Sequence, residues 1–197
     1  MFLTGLTSTI KTSFKPDKKI VPDEKLILSL AAGDSQALAE LYSLTDSAVY
    51  GFALSILKDH HAAEDVMQET YLKIIDSAPG YTPMGKPMAW ILTIVKNLAF
   101  MKLRASKGEL SVPLDESFDL TDSSDFSAKT ADRMVLSGVL SRLNDEERQI
   151  VTLFAVSGLK HREISSVMGI PLPTVLSKYR RALSKLKKYM EEERNEK

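Results

Sequence analysis

Apolar residues recur at helical spacing through most of this chain. In "LAELYSLTDSAVYGFALSIL", "DHHAAEDVMQETYLKIIDSA" and "MAWILTIVKNLAFMKLRASK" they return every three or four positions, so each segment lays an apolar stripe along a helix. Asp23, Asp34, Asp59 and Asn144 stand just before such runs, where a side-chain oxygen can accept from the free N–H groups of a first helical turn. "PGYTPMGKP" is a turn-rich break. Further on, "HREISSVMG" predicts a short helix stopped by Gly169, "IPLP" a turn, and the residues after it a longer helix. No segment carries a convincing strand signal, and no repeat is visible. The pattern predicts an all-α protein of two small helical domains, over residues 23–106 and 130–190. The second opens with "ADRMVLSGVLSRL". An aperiodic arm, 1–22, precedes the first domain, and a charged tail, 191–197, follows the second.

Composition turns the gap between the domains into a tether. Residues 107–129 are acidic, rich in Ser and Asp, and lack an apolar stripe, as flexible linkers do. The chain of 197 residues is 44% apolar and 26% charged, the balance of a soluble globular protein. It has no cysteine, which excludes disulfides and thiolate metal sites. The N-terminus lacks the apolar core of a signal peptide, and no stretch approaches the ~18 apolar residues of a membrane span. A cytoplasmic protein without membrane insertion is the expectation.

The formal net charge is zero, but the charges are segregated. Residues 109–132 hold seven acids and one base, whereas residues 160–188 hold eight bases and one acid. Such a local cationic excess is the footprint of a polyanionic partner.

Three helical faces carry candidate chemistry. On the last helix, Val175, Tyr179, Ala182, Leu183 and Leu186 fall on one side. Ser177, Arg180, Arg181, Ser184, Lys187 and Lys188 fall on the other, with Lys178 and Lys185 at its margin. A short helix, a tight turn and a second helix with a cationic outer face make a helix-turn-helix, and its Arg and Lys suit phosphate and guanine contacts. A solvated basic face on an ordinary helical hairpin is the bland alternative.

On residues 60–75, Ala63, Val66, Met67, Thr70, Tyr71 and Ile74 line a core side. Glu64, Asp65, Gln68 and Glu69 surround Leu72 on the other. An apolar residue in an acidic field suits a basic protein partner, although single exposed leucines are common. On residues 90–107, Trp90, Ile91, Ile94, Val95, Leu98 and Met101 form an apolar arc, opposite Thr93, Lys96, Asn97, Arg104 and Lys107. Phe100 lies in the polar arc, either to stack on an unpaired base or to pack against a neighbouring helix.

Catalytic constellations are missing. His60, His61 and His161 have no partners at metal-ligand spacing, and neither a phosphate-binding loop nor a nucleophile elbow occurs. No enzyme activity, metal or cofactor is expected.

Taken together, these segments resemble the bacterial RNA polymerase sigma factors of the extracytoplasmic-function (ECF) group. "LAAGDSQALAELY" is similar to the start of region 2, and "AEDVMQETYLKII" to its core-polymerase-binding segment. "MAWILTIVKNLAFMKLR" is similar to the segment that melts and reads the minus-ten element. "LNDEERQIVTLFAVSGLKHREISSVMGIPLPTVLSKYRRALSKL" resembles region 4, which reads the minus-thirty-five element.

The resemblance implies that Asp65, Gln68, Glu69 and Leu72 dock on the clamp helices of the polymerase largest subunit, with the flap as a further contact. Lys96, Asn97, Phe100 and Arg104 would face minus-ten DNA, and the "GYTPMGKPMAW" loop would form a pocket for a flipped base. Ser177, Arg180 and Arg181 would enter the minus-thirty-five major groove, with Lys178 on phosphate and Ser184, Lys187 and Lys188 on the same face. A cognate anti-sigma factor, often membrane-bound, is also implied. The chain departs from the family at Pro173, where Gly is usual, at Leu176, where a base is usual, and at Lys160, where a capping Ser is usual. Losing that cap costs ~1 kcal/mol. The implied function is promoter-specific initiation with core polymerase. A helix-turn-helix regulator acting without polymerase, or a helical adaptor that binds no DNA, are the alternatives.

Overall fold

The computed structural model describes residues 22–109 and 142–195. Among the described residues, seven α-helices follow in order: α1 Glu24–Ala31, α2 Ser35–Leu57, α3 His60–Ser77, α4 Pro87–Glu109, α5 Asp145–Ala155, α6 His161–Met168 and α7 Leu172–Asn195. One 3-10 turn, Ala78–Gly80, follows α3. No strand occurs among the described residues. Nearly all of the expected arm and of the tether lie outside them, as does most of "ADRMVLSGVLSRL". The helix that carries the basic face runs on to Asn195, into the segment expected as a tail.

Local chemistry explains where the helices begin and end. The side chains of Asp23, Asp34 and Asp59 accept from the N–H groups of Lys25, Gln36 and Ala62 at 3.0, 2.9 and 2.6 Å. Asn144 and Glu147 complete a reciprocal capping box at the start of α5. At α6 the Lys160 side chain has no acceptor to offer. The Glu163 carboxylate instead takes the Lys160 N–H at 2.6 Å, which offsets part of the missing Ser cap. Gly169 ends α6 at φ 71°, a left-handed conformation that suits glycine. Pro173 sits in the first turn of α7, where its missing N–H costs no helical bond.

Helices α2, α3 and α4 bury Leu41, Val49, Phe52, Ile74, Ile91 and Leu92 completely. Two polar groups inside this bundle satisfy each other. The Thr45 hydroxyl donates to the Leu41 carbonyl at 2.7 Å and bonds the Tyr71 hydroxyl at 2.8 Å. Burial pushes the Tyr71 phenol well above its usual range.

Ile150, Leu153, Ile164, Val167 and Val175 from α5, α6 and α7 join the same core, because α5 packs on α2 and α6 on α4. A polar seam borders the α2–α5 contact. Buried Arg148 donates to the carbonyls of Ser55 and Leu143 at 3.3 and 3.2 Å and pairs with Asp145. Lys58 reaches Asp145 at 2.9 Å. Partial burial raises the Asp145 pKa, but Lys58 and then Arg148 outweigh that and hold it below the usual carboxylate value.

Candidate nucleic-acid interface

Helix α7 is built as a cationic outer face on an apolar seat. Val175 and Ala182 are fully buried. Tyr179 and Leu186 are half-buried beside Leu143 and Val151. The Tyr179 ring lies 4.8 Å from both Phe154 and His161. Burial raises the Tyr179 pKa, and burial lowers that of His161, whose Nε2 has no hydrogen-bond partner among the described residues.

Ser177, Arg180, Arg181, Ser184, Lys187 and Lys188 are all exposed, on the face the helical period predicts. Leu183, expected in the seat, is 38% exposed. It lies at the edge of the apolar arc, beyond the strip that α5 covers.

The cations of α7 from Lys178 to Lys188 fall into three groups. Lys178 and Lys185, at the margin, pair with Glu146 and Glu147 in the first turn of α5, the latter at 2.7 Å. Lys187 and Lys188 make loose i,i+4 pairs with Glu191 and Glu192 at 3.8 and 3.7 Å, open to solvent and therefore weak. Arg180 and Arg181 meet no carboxylate among the described residues, although Arg181 donates to the Ser177 carbonyl at 3.4 Å. Lys178 is thus held within the protein, while the two arginines point outward.

Helix α4 presents a different surface. It is covered by α2 and α3 on one side and by α6 on the other, so its buried arc is wide and includes Leu92 and Ala99. Its open residues include the stripe Asn97, Phe100, Met101 and Arg104, at spacing i, i+3, i+4 and i+7. Phe100 is 38% exposed rather than packed away. Met101, expected in the apolar arc, is 60% exposed. Lys96 is half-buried at the edge of the stripe. The Arg104 guanidinium donates back to the Phe100 carbonyl at 3.3 Å.

Before α4 runs the loop 81–86, whose outer residues Thr82, Pro83, Met84 and Lys86 are exposed. Its inner side is anchored to Glu24 of α1, a contact with no counterpart in the local sequence pattern.

On α3, Ala63, Val66, Thr70, Tyr71 and Ile74 are buried, as the period predicts. Glu64, Asp65, Gln68 and Glu69 are exposed around Leu72, itself 63% exposed. Asp65 of this acidic face forms an ion pair with Lys102 of α4 at 2.5 Å. No group of His, Asp and Glu that could hold a metal occurs among the described residues. No helix there is long and apolar enough to cross a membrane.

Comparison with known proteins places these surfaces in a family. The family model Sigma-70 region 2 matches residues 41–109, and Sigma-70, region 4 matches residues 133–186. Helix α1 lies before both matches. The chain is 29% identical over 198 residues to the ECF RNA polymerase sigma factor SigK of Mycobacterium sp. (strain KMS), covering 94% of this chain and 97% of that protein. SigK of Mycobacterium tuberculosis (strain ATCC 25177 / H37Ra) is 29% identical over 170 residues, 83% of this chain and 91% of that one.

Two solved structures share the fold. CnrH in complex with the cytosolic domain of CnrY gives a TM-score of 0.63 at 20% identity, covering 87% of this chain and 98% of that one. RpoE from Bartonella quintana, in complex with the anti-sigma factor NepR, gives 0.65 at 22% identity, covering 78% and 96%. The region 2 match takes in the acidic face of α3 and the stripe of α4, and the region 4 match takes in the basic face of α7 from Ser177 to Ser184: the chain belongs to the sigma factors, in the extracytoplasmic-function group.

Proposed function

We propose that this chain is the promoter-recognition subunit of an RNA polymerase holoenzyme. Region 2 binds core polymerase and takes the minus-ten DNA, while region 4 anchors the minus-thirty-five element. Asp65, Gln68, Glu69 and Leu72 form the polymerase-docking face, an apolar side chain ringed by acids. Lys102 and the partner surface compete there for Asp65.

Asn97, Phe100 and Arg104 receive the minus-ten strand, with Lys96 at the border and Met101 extending the stripe. An exposed aromatic between a carboxamide and a guanidinium suits an unstacked base beside its backbone. The loop 81–86 borders that strand and reads a base from it. Arg180 and Arg181 enter the minus-thirty-five groove with Ser177. Ser184, Lys187 and Lys188 continue along the backbone, and Lys178 reaches phosphate only by leaving Glu146.

The observation that carries this reading is that all three faces are open at once on one folded chain. A regulator acting alone would have no use for the acidic face of α3, and a helical adaptor no use for the stripe of α4. The chain performs no catalysis itself, because the chemistry of RNA synthesis belongs to the polymerase. It works in the cytoplasm, beside the DNA, without inserting in a membrane, and a cognate anti-sigma factor holds it in check, as NepR accompanies RpoE.

Run-off transcription with core polymerase tests the proposal. Promoter-specific transcripts are expected only when the chain is added, and transcripts that appear equally without it contradict the reading. Charge reversal at Asp65 and Glu69 should abolish the stimulation by weakening core affinity while leaving the fold intact by circular dichroism.

A further inference from the structure

The loop 81–86 carries no secondary structure, yet it is held in one shape from a distant part of the chain. The Glu24 carboxylate, in the first turn of α1, accepts three hydrogen bonds on one oxygen. They come from the Tyr81 hydroxyl at 2.6 Å, the Met84 N–H at 2.8 Å and the Gly85 N–H at 2.7 Å. Gly85 stands at φ 68°, a left-handed turn that lets successive N–H groups converge on one acceptor.

Beneath this contact is a separate small core. Ile27, Ala78 and Tyr81 are buried together, against Leu30, Ala31 and Trp90. The Tyr81 and Trp90 rings lie 4.8 Å apart at 60°. Tyr81 therefore ties the loop to α4 through its ring and to α1 through its hydroxyl. The hydroxyl of Tyr81 and then the loop N–H groups keep the Glu24 carboxyl below its usual 4.5, so the acceptor is ionised at neutral pH. The Tyr81 ring is buried, whereas the Met84 side chain, at the loop tip, is 69% exposed.

From this geometry we infer that Glu24 is a positioning residue for minus-ten recognition: its carboxylate fixes the backbone of loop 81–86 so that the exposed tip meets the DNA in a set conformation. The inference rests on the reading that this loop takes part in minus-ten recognition. Helix α1 then belongs to the reading site, although it precedes the region 2 match. A loop of six residues bordered by Pro87 and a 3-10 turn has many accessible conformations. Fixing one of them before binding removes an ordering cost that would otherwise blur the difference between right and wrong bases.

The test uses full-length chain in holoenzyme, with promoters that vary single positions of the minus-ten element against a constant minus-thirty-five element. The readout is the ratio of transcript from the preferred and substituted elements, with core affinity and melting temperature measured on the same variants. Glu24→Ala is expected to lower that ratio about tenfold, while core affinity stays within about twofold. Glu24→Gln keeps one acceptor oxygen and should recover part of the ratio. Tyr81→Phe removes one of the three bonds and should lower the ratio less than Glu24→Ala does.

A Glu24→Ala protein that folds, binds core and discriminates like the wild type would overturn the inference. So would a variant that loses stability and core affinity in step with discrimination, because the role would then be structural only. Met84→Ala, together with Thr82→Ala, separates this from the underlying reading. If these tip substitutions change minus-ten preference and Glu24→Ala does not, only the clamp is wrong. If the tip substitutions change nothing, the loop does not read DNA and the inference falls with that reading.

Discussion

The two surfaces proposed to meet DNA are held in shape by different means. On α7, a helix supports itself, so the outward direction of Arg180 and Arg181 is set by the backbone period and by the buried seat of Val175 and Ala182. At the other end, the loop 81–86 has no internal ladder and takes its shape from Glu24, whose contacts to it span 57 to 61 positions along the chain. A helical reader can be redirected by changing one exposed side chain. A loop reader also depends on residues that never touch DNA. Each surface rests on a small cluster of its own, Ile27, Ala78 and Tyr81 under the loop and Leu143, Val151 and Ala182 under α7, beside the main core.

The largest effect should come from the helical surface. Reversing both arginines, Arg180→Glu with Arg181→Glu, should weaken promoter binding by about a hundredfold or more, since one good base contact is worth ~1–3 kcal/mol and reversal adds repulsion. Fluorescence anisotropy with holoenzyme would report it, and core affinity should not change. On the other surface, Phe100→Ala should reduce open-complex formation by about tenfold, the cost of one lost base stack at ~1–3 kcal/mol. Permanganate reactivity of unpaired thymines checks this directly. A Phe100→Ala protein that melts DNA normally would leave the stripe of α4 without its role.

Smaller effects sharpen the contrast between cations on α7. Lys188→Ala should reduce the salt-dependence slope of promoter binding by up to about 0.9, the value for one phosphate contact. Lys178→Ala should reduce it less, because Lys178 must give up Glu146 to reach phosphate. Equal changes would mean that the Lys178–Glu146 pair is no restraint.

The smallest effect concerns pH. The folded pKa of His161 is depressed by burial below the usual 6.5, so between the two values the unfolded chain binds more protons than the folded one. Stability should therefore fall as pH drops below about 6.5, and His161→Phe should remove that part of the slope in melting temperature. Glu24 behaves differently. Its folded pKa is also depressed, but from 4.5, so the stability it contributes is present above that value and is lost only as pH falls through the folded pKa. Between pH 5 and 7 the seat of α7 should respond to acid, while the clamp on the loop should not.

Much of this arrangement is legible in the sequence where the signal is local. Asp23, Asp34, Asp59 and Asn144 cap within three residues of themselves, and Gly169 stops α6 by its own backbone freedom. The buried side of α3 and the outer arc of α7 follow from period alone, because each helix is covered on one side. Period fails where a helix has neighbours on both sides. In α4, Leu92 and Ala99 are buried and Met101 is open because α6 covers a sector that one apolar arc does not describe.

The contacts between distant charges were hidden for another reason. Lys178 and Lys185 are matched by Glu146 and Glu147, which lie 32 and 38 positions earlier, and nothing in the basic run marks which cations are taken. Glu24 reads in sequence as an ordinary acid in a first helical turn, a common helix-dipole device. Only the packing of α1 beside the 3-10 turn turns it toward the loop.

The central claim is that one chain carries two separable promoter readers. It is tested most directly by run-off transcription from promoters in which the minus-ten or the minus-thirty-five element is scrambled, with wild-type, Arg180→Glu/Arg181→Glu and Glu24→Ala proteins in holoenzyme. The account predicts that the arginine variant becomes insensitive to scrambling the minus-thirty-five element but still responds to the minus-ten. The Glu24 variant should show the converse, with weakened response to the minus-ten alone. If both variants lose their response to both elements alike, the two surfaces do not read separate elements, and the account is contradicted.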